Sequence, residues 1–186
     1  FLNNRCQVSG GAVNASDFTR TLFTECIFVG NQAIGKNGGA VLVLGADGHS
    51  PTEARFHKVQ FQQNTCKSCG GAVHANVYTI TAFDECRLEM NNADGHGGGI
   101  FIRGLRRMPN KAAIKRCLFV GNIATLGGAD VGLRAVKGIN EQSLLAENSI
   151  EIPAPDFQAE DEEDLIMASG PVPSRKTEKR SPISRI

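Results

Sequence analysis

The sequence of 186 residues lacks the features of a membrane span, a helical repeat or a base-stacking surface. It contains no long apolar run, so it predicts no transmembrane helix. No segment keeps a 3.6-residue apolar period over about ten residues, which excludes stacked helical repeats. Aromatic residues make up 6% of the chain and are not interleaved with its basic residues. Nucleic acid is therefore not a predicted partner.

The sequence also lacks an initiating Met and a signal peptide, because Phe1 already lies inside a repeated phrase. We therefore expect a piece of a longer protein, and the missing signal has no bearing on secretion. Membrane attachment is expected only through regions outside this piece.

Residues that bind metals or perform catalysis are sparse. No two of the four His stand at ligand spacing, and the single Cys66-Lys67-Ser68-Cys69 has no second Cys pair or nearby His. We therefore predict no catalytic group, no metal and no cofactor, and we interpret His57 as a solvated rim residue. The six Cys are interpreted as small buried residues, although Cys86 and Cys117 lie on neighbouring repeats and could approach disulfide distance.

The sequence instead repeats one phrase five times: an aromatic residue or Leu, two spacers, an Asn, and then Gly-Gly before a short apolar run. The asparagines recur after 27, 33, 27 and 31 residues. A period of this size predicts stacked units, and the unequal steps predict loops of variable length on a constant core. Because the apolar runs are short and β-branched, each unit is expected to be a turn of an all-β solenoid of about five repeats.

Alignment of the copies on the Asn predicts which positions build the repeat. The Asn tolerates the left-handed conformation and Gly-Gly supplies positive φ, so both are predicted to be corners. The stacked Asn amides are expected to hydrogen-bond along the axis. The predicted structural residues are Phe28, Asn31, Gly38, Gly39, Phe61, Asn64, Gly70, Gly71, Asn91, Gly97, Gly98, Phe119, Asn122, Gly127 and Gly128.

One further column and one single residue also carry predictions. Six residues before the Asn lie residues of alternating charge, which predicts an outward-facing ladder beside a bend: Glu25, Lys58, Glu85 and Arg116. In the last copy, Asp130 stands where an apolar residue is expected, which favours a terminating rung.

The phrase resembles the repeat of the chlamydial polymorphic outer membrane proteins, which pairs F-x-x-N with G-G-A and an aliphatic residue. The match is carried by Phe28 and Asn31 with Gly38-Gly39-Ala40-Val41, and by the equivalent residues of the next copy. It covers roughly residues 1 to 133. The resemblance implies a right-handed parallel β-helix that is exposed at a cell surface or secreted and acts in adhesion.

The composition divides the chain into three parts. Residues 1–138 are the predicted β-helix domain, residues 139–150 a short capping helix, and residues 151–186 a disordered tail that is first acidic and then basic. The capping helix is expected because Glu141 to Glu147 is rich in helix-forming residues, and an open solenoid end needs a cap.

The loop between the fourth and fifth repeats carries a basic cluster, for which we predict anion binding: Arg103, Arg106, Arg107 and Lys111, followed by Lys115 and Arg116. Its predicted partners are anionic glycans or a cell-surface protein.

The leading interpretation is a non-enzymatic, adhesin-like surface module. Two alternatives stay open: a fragment of a β-helix polysaccharide lyase or glycoside hydrolase, and a passive structural spacer. An enzyme of that kind needs converging carboxylates, and the strands after Gly-Gly carry no acidic ladder.

Overall fold

The computed structural model describes residues 1–46, 50–104, 110–134, 150–152 and 165–168, and these residues form a parallel β-solenoid. The backbone makes about four turns, each containing four short strands. No helix occurs in the part of the chain that the structure describes. The predicted all-β fold, a parallel β-helix, is confirmed.

Each turn repeats the same order of strands. The first two turns contain β1 (Arg5–Cys6), β2 (Val13–Ser16), β3 (Arg20–Thr24), β4 (Ile27–Val29), β5 (Gln32–Ala33), β6 (Val41–Leu44), β7 (Thr52–His57) and β8 (Gln60–Gln62). The next two contain β9 (Thr65–Cys66), β10 (Val73–Asn76), β11 (Thr79–Asp84), β12 (Arg87–Glu89), β13 (Asn92–Ala93), β14 (Ile100–Arg103), β15 (Lys111–Lys115) and β16 (Leu118–Val120). The chain then continues into β17 (Ile123–Ala124), β18 (Val131–Arg134), β19 (Ile150–Ile152) and β20 (Leu165–Ala168).

Four sheets run along the solenoid axis. Sheet I has the order β1-β5-β9-β13-β17, sheet II β2-β6-β10-β14-β18-β20, sheet III β19-β15-β11-β7-β3, and sheet IV β16-β12-β8-β4. In sheet IV, Phe28 pairs with Phe61, which in turn pairs with Leu88 of the next turn. Because the parallel strands are in register, equivalent residues of successive turns lie opposite one another. Chemically similar residues therefore stack along the axis.

Two aromatic columns fill the interior. In the first, the rings of Phe28 and Phe61 are stacked with their centroids 5.1 Å apart, and both side chains are fully buried. In the second, Phe56 stacks on Phe83 at 4.8 Å. The two columns meet edge to face, as between Phe56 and Phe61 at 5.5 Å. Stacked and edge-to-face arrangements are the favourable geometries for aromatic pairs. The rings therefore have favourable geometry both within each column and between the two columns.

The bend expected beside the alternating charges is present. Glu25, Lys58, Glu85 and Arg116 all have φ between 51° and 53°, and all are exposed. This left-handed position separates sheet III from sheet IV. The alternation of inward-facing and outward-facing residues shifts by one position there, so Phe23 and Phe28 both face the interior. A non-glycine residue is unfavourable in this conformation, so packing of the neighbouring strands must hold it.

The corner at the Asn differs from the prediction. The repeated Asn is not itself left-handed. Positive φ falls on the residue before it, at Gly30, Gln63, Met90 and Gly121. The Asn therefore begins the next straight segment with its side chain directed inward, and the prediction of a left-handed Asn is wrong.

The Gly-Gly corner requires both glycines for different reasons. Gly70 has φ +74°, in the left-handed region. Gly71 has no such φ, but a Cβ on it would lie 2.1 Å from the carbonyl oxygen of Gly98 on the next turn. The first glycine therefore supplies the backbone conformation and the second allows adjacent turns to approach.

The glycine corner of the fifth copy lies one residue later than the sequence alignment placed it. Ile100 pairs with Val131, which makes Asp130 equivalent to Gly99 and not to an apolar strand residue. The first-glycine position is then Gly128, with φ +66°. Gly127, with φ +120°, is equivalent to His96, and Ala129 takes the place of the second glycine. The expected substitution of an apolar residue by Asp130 is therefore wrong, because the apolar residue at that position is Val131.

The region after the solenoid contributes two short strands in antiparallel orientation. Ile150–Ile152 pairs with β15 in sheet III, and Leu165–Ala168 pairs with β18 in sheet II. The capping helix predicted at 139–150 lies outside the described residues except for Ile150, which begins a strand. Disorder over 151–186 likewise stays a prediction outside the six residues 151–152 and 165–168, which are in strands.

Candidate functional site

The repeated Asn side chains form a continuous buried ladder. The Oδ1 of Asn64 accepts hydrogen bonds from the backbone N–H and the Nδ2 of Asn31, at 3.0 and 2.9 Å. The Nδ2 of Asn64 donates to Oδ1 of Asn91 at 2.9 Å and to the carbonyl oxygen of Phe28 at 3.0 Å. The same bonds recur from Asn4 to Asn122. Every buried polar atom of these amides is therefore satisfied, and the ladder has a structural role.

The ladder ends on a carboxylate. Among the described residues, no Asn follows Asn122 in the ladder, and its Nδ2 donates to Oδ1 of Asp130 at 3.0 Å. Asp130 occupies this position because the corner of the fifth copy is Gly128-Ala129, which makes Asp130 equivalent to Gly99. The hydrogen bond from Asn122 therefore supports a terminating role for Asp130. The sequence predicted this role for a different reason, the apparent loss of an apolar residue at that position.

The predicted anion-binding loop is described only at its two ends. Arg103 is the last residue of β14 and Lys111 is the first residue of β15, while Arg106 and Arg107 lie outside the described residues. Arg103 lies in register with Arg134 on the next turn. Neither arginine makes an ion pair with a described residue. The guanidinium groups of this pair, one rung apart, are a feature that the sequence alone did not identify.

Arg116 belongs to a different surface. Its guanidinium contacts Asp84 at 2.5 Å and Glu85 at 3.4 Å. The same Asp84 contacts Nδ1 of His57 at 3.4 Å, so His57 is a partly exposed rim residue with an acidic neighbour. Arg116 is thus already paired with carboxylates and is less suited to an external anion.

Several carboxylates of the described residues are paired with cations. Glu53 contacts Arg20 at 3.5 Å, and Asp94 contacts Lys67 at 3.1 Å. Glu89 pairs with Arg87 on its own strand. An acid/base pair of a glycoside hydrolase requires two carboxyl groups that face a shared substrate position. The described residues also contain no group of three or more His, Cys, Asp or Glu placed to hold a metal.

A second buried layer lies on the outer side of sheet II. Side chains alternate along a strand, so His74 and Phe101 point away from the interior that Val73 and Ile100 fill. His74 and Phe101 are nevertheless 3% and 2% exposed, and their rings meet edge to face at 5.2 Å. Among the described residues, neither ring nitrogen of His74 has a hydrogen-bond partner. Burial, with Arg103 nearby, lowers the pKa of His74 to about 3.

Sequence reasoning missed this outer layer, although a signal for it was present. The strand following Gly-Gly has apolar residues on both faces in the second and fourth copies, as in Val41-Leu42-Val43. A strand that is apolar on both faces is typical of burial on both sides. His74 takes the position of Leu42 in the third copy and is therefore a buried, neutral imidazole.

Five of the six cysteines occupy two columns. Cys66 lies in the narrow corner column with Ala33 and Ala93, and burial raises the pKa of its thiol to about 12. Cys86 and Cys117 belong to the main core and are free thiols. Cys69 is partly exposed and lies beside Gly95 of the next turn.

Comparison with known proteins identifies one repeat of this solenoid. The model of the Chlamydia polymorphic membrane protein repeat matches residues 58–76. This stretch runs from the left-handed bend at Lys58 through β8, β9 and the Gly-Gly corner to the end of β10. No curated protein and no solved structure matches the chain. The described residues include no helix with the length and apolar character needed to cross a membrane. The chain is thus a parallel β-solenoid that carries a Chlamydia polymorphic membrane protein repeat.

Proposed function

We propose that this chain is a non-enzymatic module of a surface-exposed or secreted protein that binds its partners through the outer faces and loops of a rigid solenoid. The observation that carries the proposal is the contrast within single strands. In sheet IV the inward column is Phe28, Phe61, Leu88 and Phe119, whereas the adjacent outward column is Ile27, Gln60, Arg87 and Leu118. A constant interior with a variable exterior supports binding surfaces that change without changing the fold. The name of the matched repeat, a membrane protein repeat, supports placement at a surface.

The partner that the charges favour is a polyanion, such as a sulfated glycan, bound at the basic loop. Arg103 and Arg134 stack in register with no described counterion, and like charges directly opposite each other are unfavourable. Lys111 adds an exposed cation at the other end of the loop. A bound anion relieves the repulsion between the two guanidinium groups, and arginine binds sulfate-like oxygens with paired N–H donors.

The proposal is tested by retention on a heparin column with increasing salt. Replacement of the loop residues in the double variant Arg106→Glu/Arg107→Glu is expected to lower the salt concentration of elution. The matched control is Arg5→Glu/Lys36→Glu, which makes the same change of net charge at two exposed positions on the first two turns. Equal elution of the loop variant and the wild type, or an equal shift in the control, would contradict a local anion site.

Surface placement is tested separately in the organism that makes the protein. An antibody against residues 1–134 is expected to label intact cells, or the surrounding medium, without permeabilisation. Labelling that requires permeabilisation would contradict the surface module and favour an internal scaffold.

A further inference from the structure

Two of the six cysteines lie directly opposite each other on adjacent turns. Cys86 lies between Asp84 and Arg87, which pair in register with Lys115 and Leu118. Cys86 is therefore opposite Cys117, and the N–H of Leu118 donates to the Cys86 carbonyl oxygen at 2.9 Å. Adjacent strands are separated by about 4.8 Å, which lies within the Cα separation of roughly 4.4–6.8 Å that a disulfide spans.

No other pair of cysteines has this relationship. Cys6 and Cys66 share a column but are separated by Ala33 on the intervening turn. Cys26 and Cys86 share the other column, with the turn of Val59 between them. Two turns span about 10 Å, which is beyond the reach of a disulfide without backbone movement.

The two thiols are enclosed in the core and interact with each other. Cys86 is 2% exposed and Cys117 is 3% exposed. Their mutual contact has the largest influence on the acidity of both: it lowers the pKa of Cys86 and raises that of Cys117. The two thiols are thus close enough in the folded chain to affect each other.

We propose that Cys86 and Cys117 are a modification site, at which a disulfide forms between the third and fourth turns when the chain folds in the presence of a small-molecule disulfide. The Cys86 thiolate attacks one sulfur of oxidised glutathione, which forms a mixed disulfide and releases one glutathione thiolate. The Cys117 thiolate then attacks the Cys86 sulfur and releases the second glutathione. Two protein thiols are oxidised by two electrons, and the two protons end on the two released glutathione molecules.

The bond encloses the segment that carries the basic loop. Residues 87–116 lie between the two cysteines, and they include Arg103, Arg106, Arg107 and Lys111. A disulfide restricts the unfolded chain most strongly when it closes a long loop. The cross-link therefore stabilises the third and fourth turns, the second of which carries the loop, whichever partner the loop binds. Because both sulfurs are buried in the folded chain, the exchange takes place during folding, before the core closes.

The experiment is refolding of the wild-type chain from denaturant, in oxidised glutathione or in dithiothreitol. After oxidative refolding we expect four free thiols where the reduced chain has six. Peptide mapping is expected to join the Cys86 peptide to the Cys117 peptide. The oxidised chain is expected to unfold at a higher urea concentration, and this gain is expected to be lost after reduction. Six free thiols, or a bond that joins other cysteines, would overturn the proposal.

Two variants show whether the effect belongs to this pair. Cys26→Ala removes a cysteine of the same column that faces Val59, and it is expected to keep the redox-dependent rise in urea midpoint. Cys117→Val introduces the residue that the column already contains at Val59, and it is expected to abolish the rise. A rise that persists in Cys117→Val would contradict the assignment. If Cys117→Val does not fold, the wild-type peptide map decides the matter.

Discussion

The inward and outward columns of the same strands follow different rules. Inward positions of sheet IV keep one kind of residue on every turn, and the Asn after them never changes from Asn4 to Asn122. Outward positions one residue away change from Ile27 to Gln60 to Arg87. The stacking geometry and the buried hydrogen bonds act only on the inward columns, so the fold constrains those residues and leaves the outer ones free.

The largest effect is expected from an interior aromatic ring. Phe61→Ala removes a fully buried side chain that stacks on Phe28 at 5.1 Å and meets Phe56 at 5.5 Å. We expect a loss of roughly 3–5 kcal/mol in the free energy of unfolding, measured by urea titration. Gln60→Ala, at the exposed neighbouring position, is expected to change it by less than about 0.5 kcal/mol. Similar losses in the two variants would remove the distinction between inward and outward columns.

A slightly smaller effect is expected from the Asn ladder. Asn64→Ala leaves the N–H of Asn31 and one Nδ2 hydrogen of Asn31 without their acceptor inside the core. Because each unsatisfied buried group costs about 1–3 kcal/mol, we expect a total loss of about 2–4 kcal/mol. The control is Asn14→Ala on the exposed face of β2, which is expected to be nearly neutral. A neutral Asn64→Ala would show that the amide ladder does not stabilise the fold.

The outer layer of sheet II makes stability depend on pH through His74. Its pKa is lowered from 6.5 to about 3, so below pH 6.5 the unfolded chain takes up a proton that the folded chain does not. Stability therefore falls as the pH decreases from 6.5 towards 3, by about 1.4 kcal/mol per pH unit from this group. Between pH 6.5 and 5 we expect a loss of about 2 kcal/mol.

His74→Leu tests this pH dependence, because Leu42 occupies the equivalent position one turn earlier. The variant is expected to lose less stability than the wild type between pH 6.5 and 5. A remaining slope is expected from His96, whose pKa is also lowered by burial. An identical pH dependence in the variant and the wild type would show that His74 is not held neutral.

The smallest effect is expected from the exposed charge column. Lys58→Glu places three acidic residues in succession at the bend, with Glu25 before and Glu85 after. The expected loss is about 0.5 kcal/mol or less at low salt, and it should vanish in 1 M salt because exposed charges are strongly screened. A loss as large as that of Phe61→Ala would mean that the exposed charge column stabilises the fold as strongly as the buried aromatic column.

The features that recur in every copy of the repeat could be predicted from the sequence. Five copies of one phrase predicted the parallel solenoid, the inward Phe column and the hydrogen-bonded Asn ladder. The left-handed residue could not be located at Gln63, because that position holds different residues from copy to copy. The register of Asp130 was missed because the Gly127-Gly128 pair looks like the glycine corner, whereas Gly127 is equivalent to His96 and the corner is Gly128-Ala129.

The candidate site was less predictable than the fold. The repeat does not encode the loops, so the positions of Arg106 and Arg107 follow from no column. The pairing of Arg103 with Arg134 depends on register across turns, which the sequence shows only once the corner of the fifth copy is placed at Gly128. The strands at Ile150–Ile152 and Leu165–Ala168 lie in a region whose composition predicts disorder. Burial of His74 depends on a second layer outside the repeat's own core.

The most direct test of the account is hydrogen exchange of the Asn side-chain amides, measured by NMR on nitrogen-15-labelled protein. The Nδ2 groups of Asn31, Asn64 and Asn91 are buried and each donates two hydrogen bonds to adjacent turns. Their exchange is expected to require global unfolding and to slow as the protein is stabilised. The exposed Asn14 amide is expected to exchange at the rate of an unfolded peptide. Exchange of Asn64 as fast as that of Asn14 would contradict the interior ladder on which the fold depends.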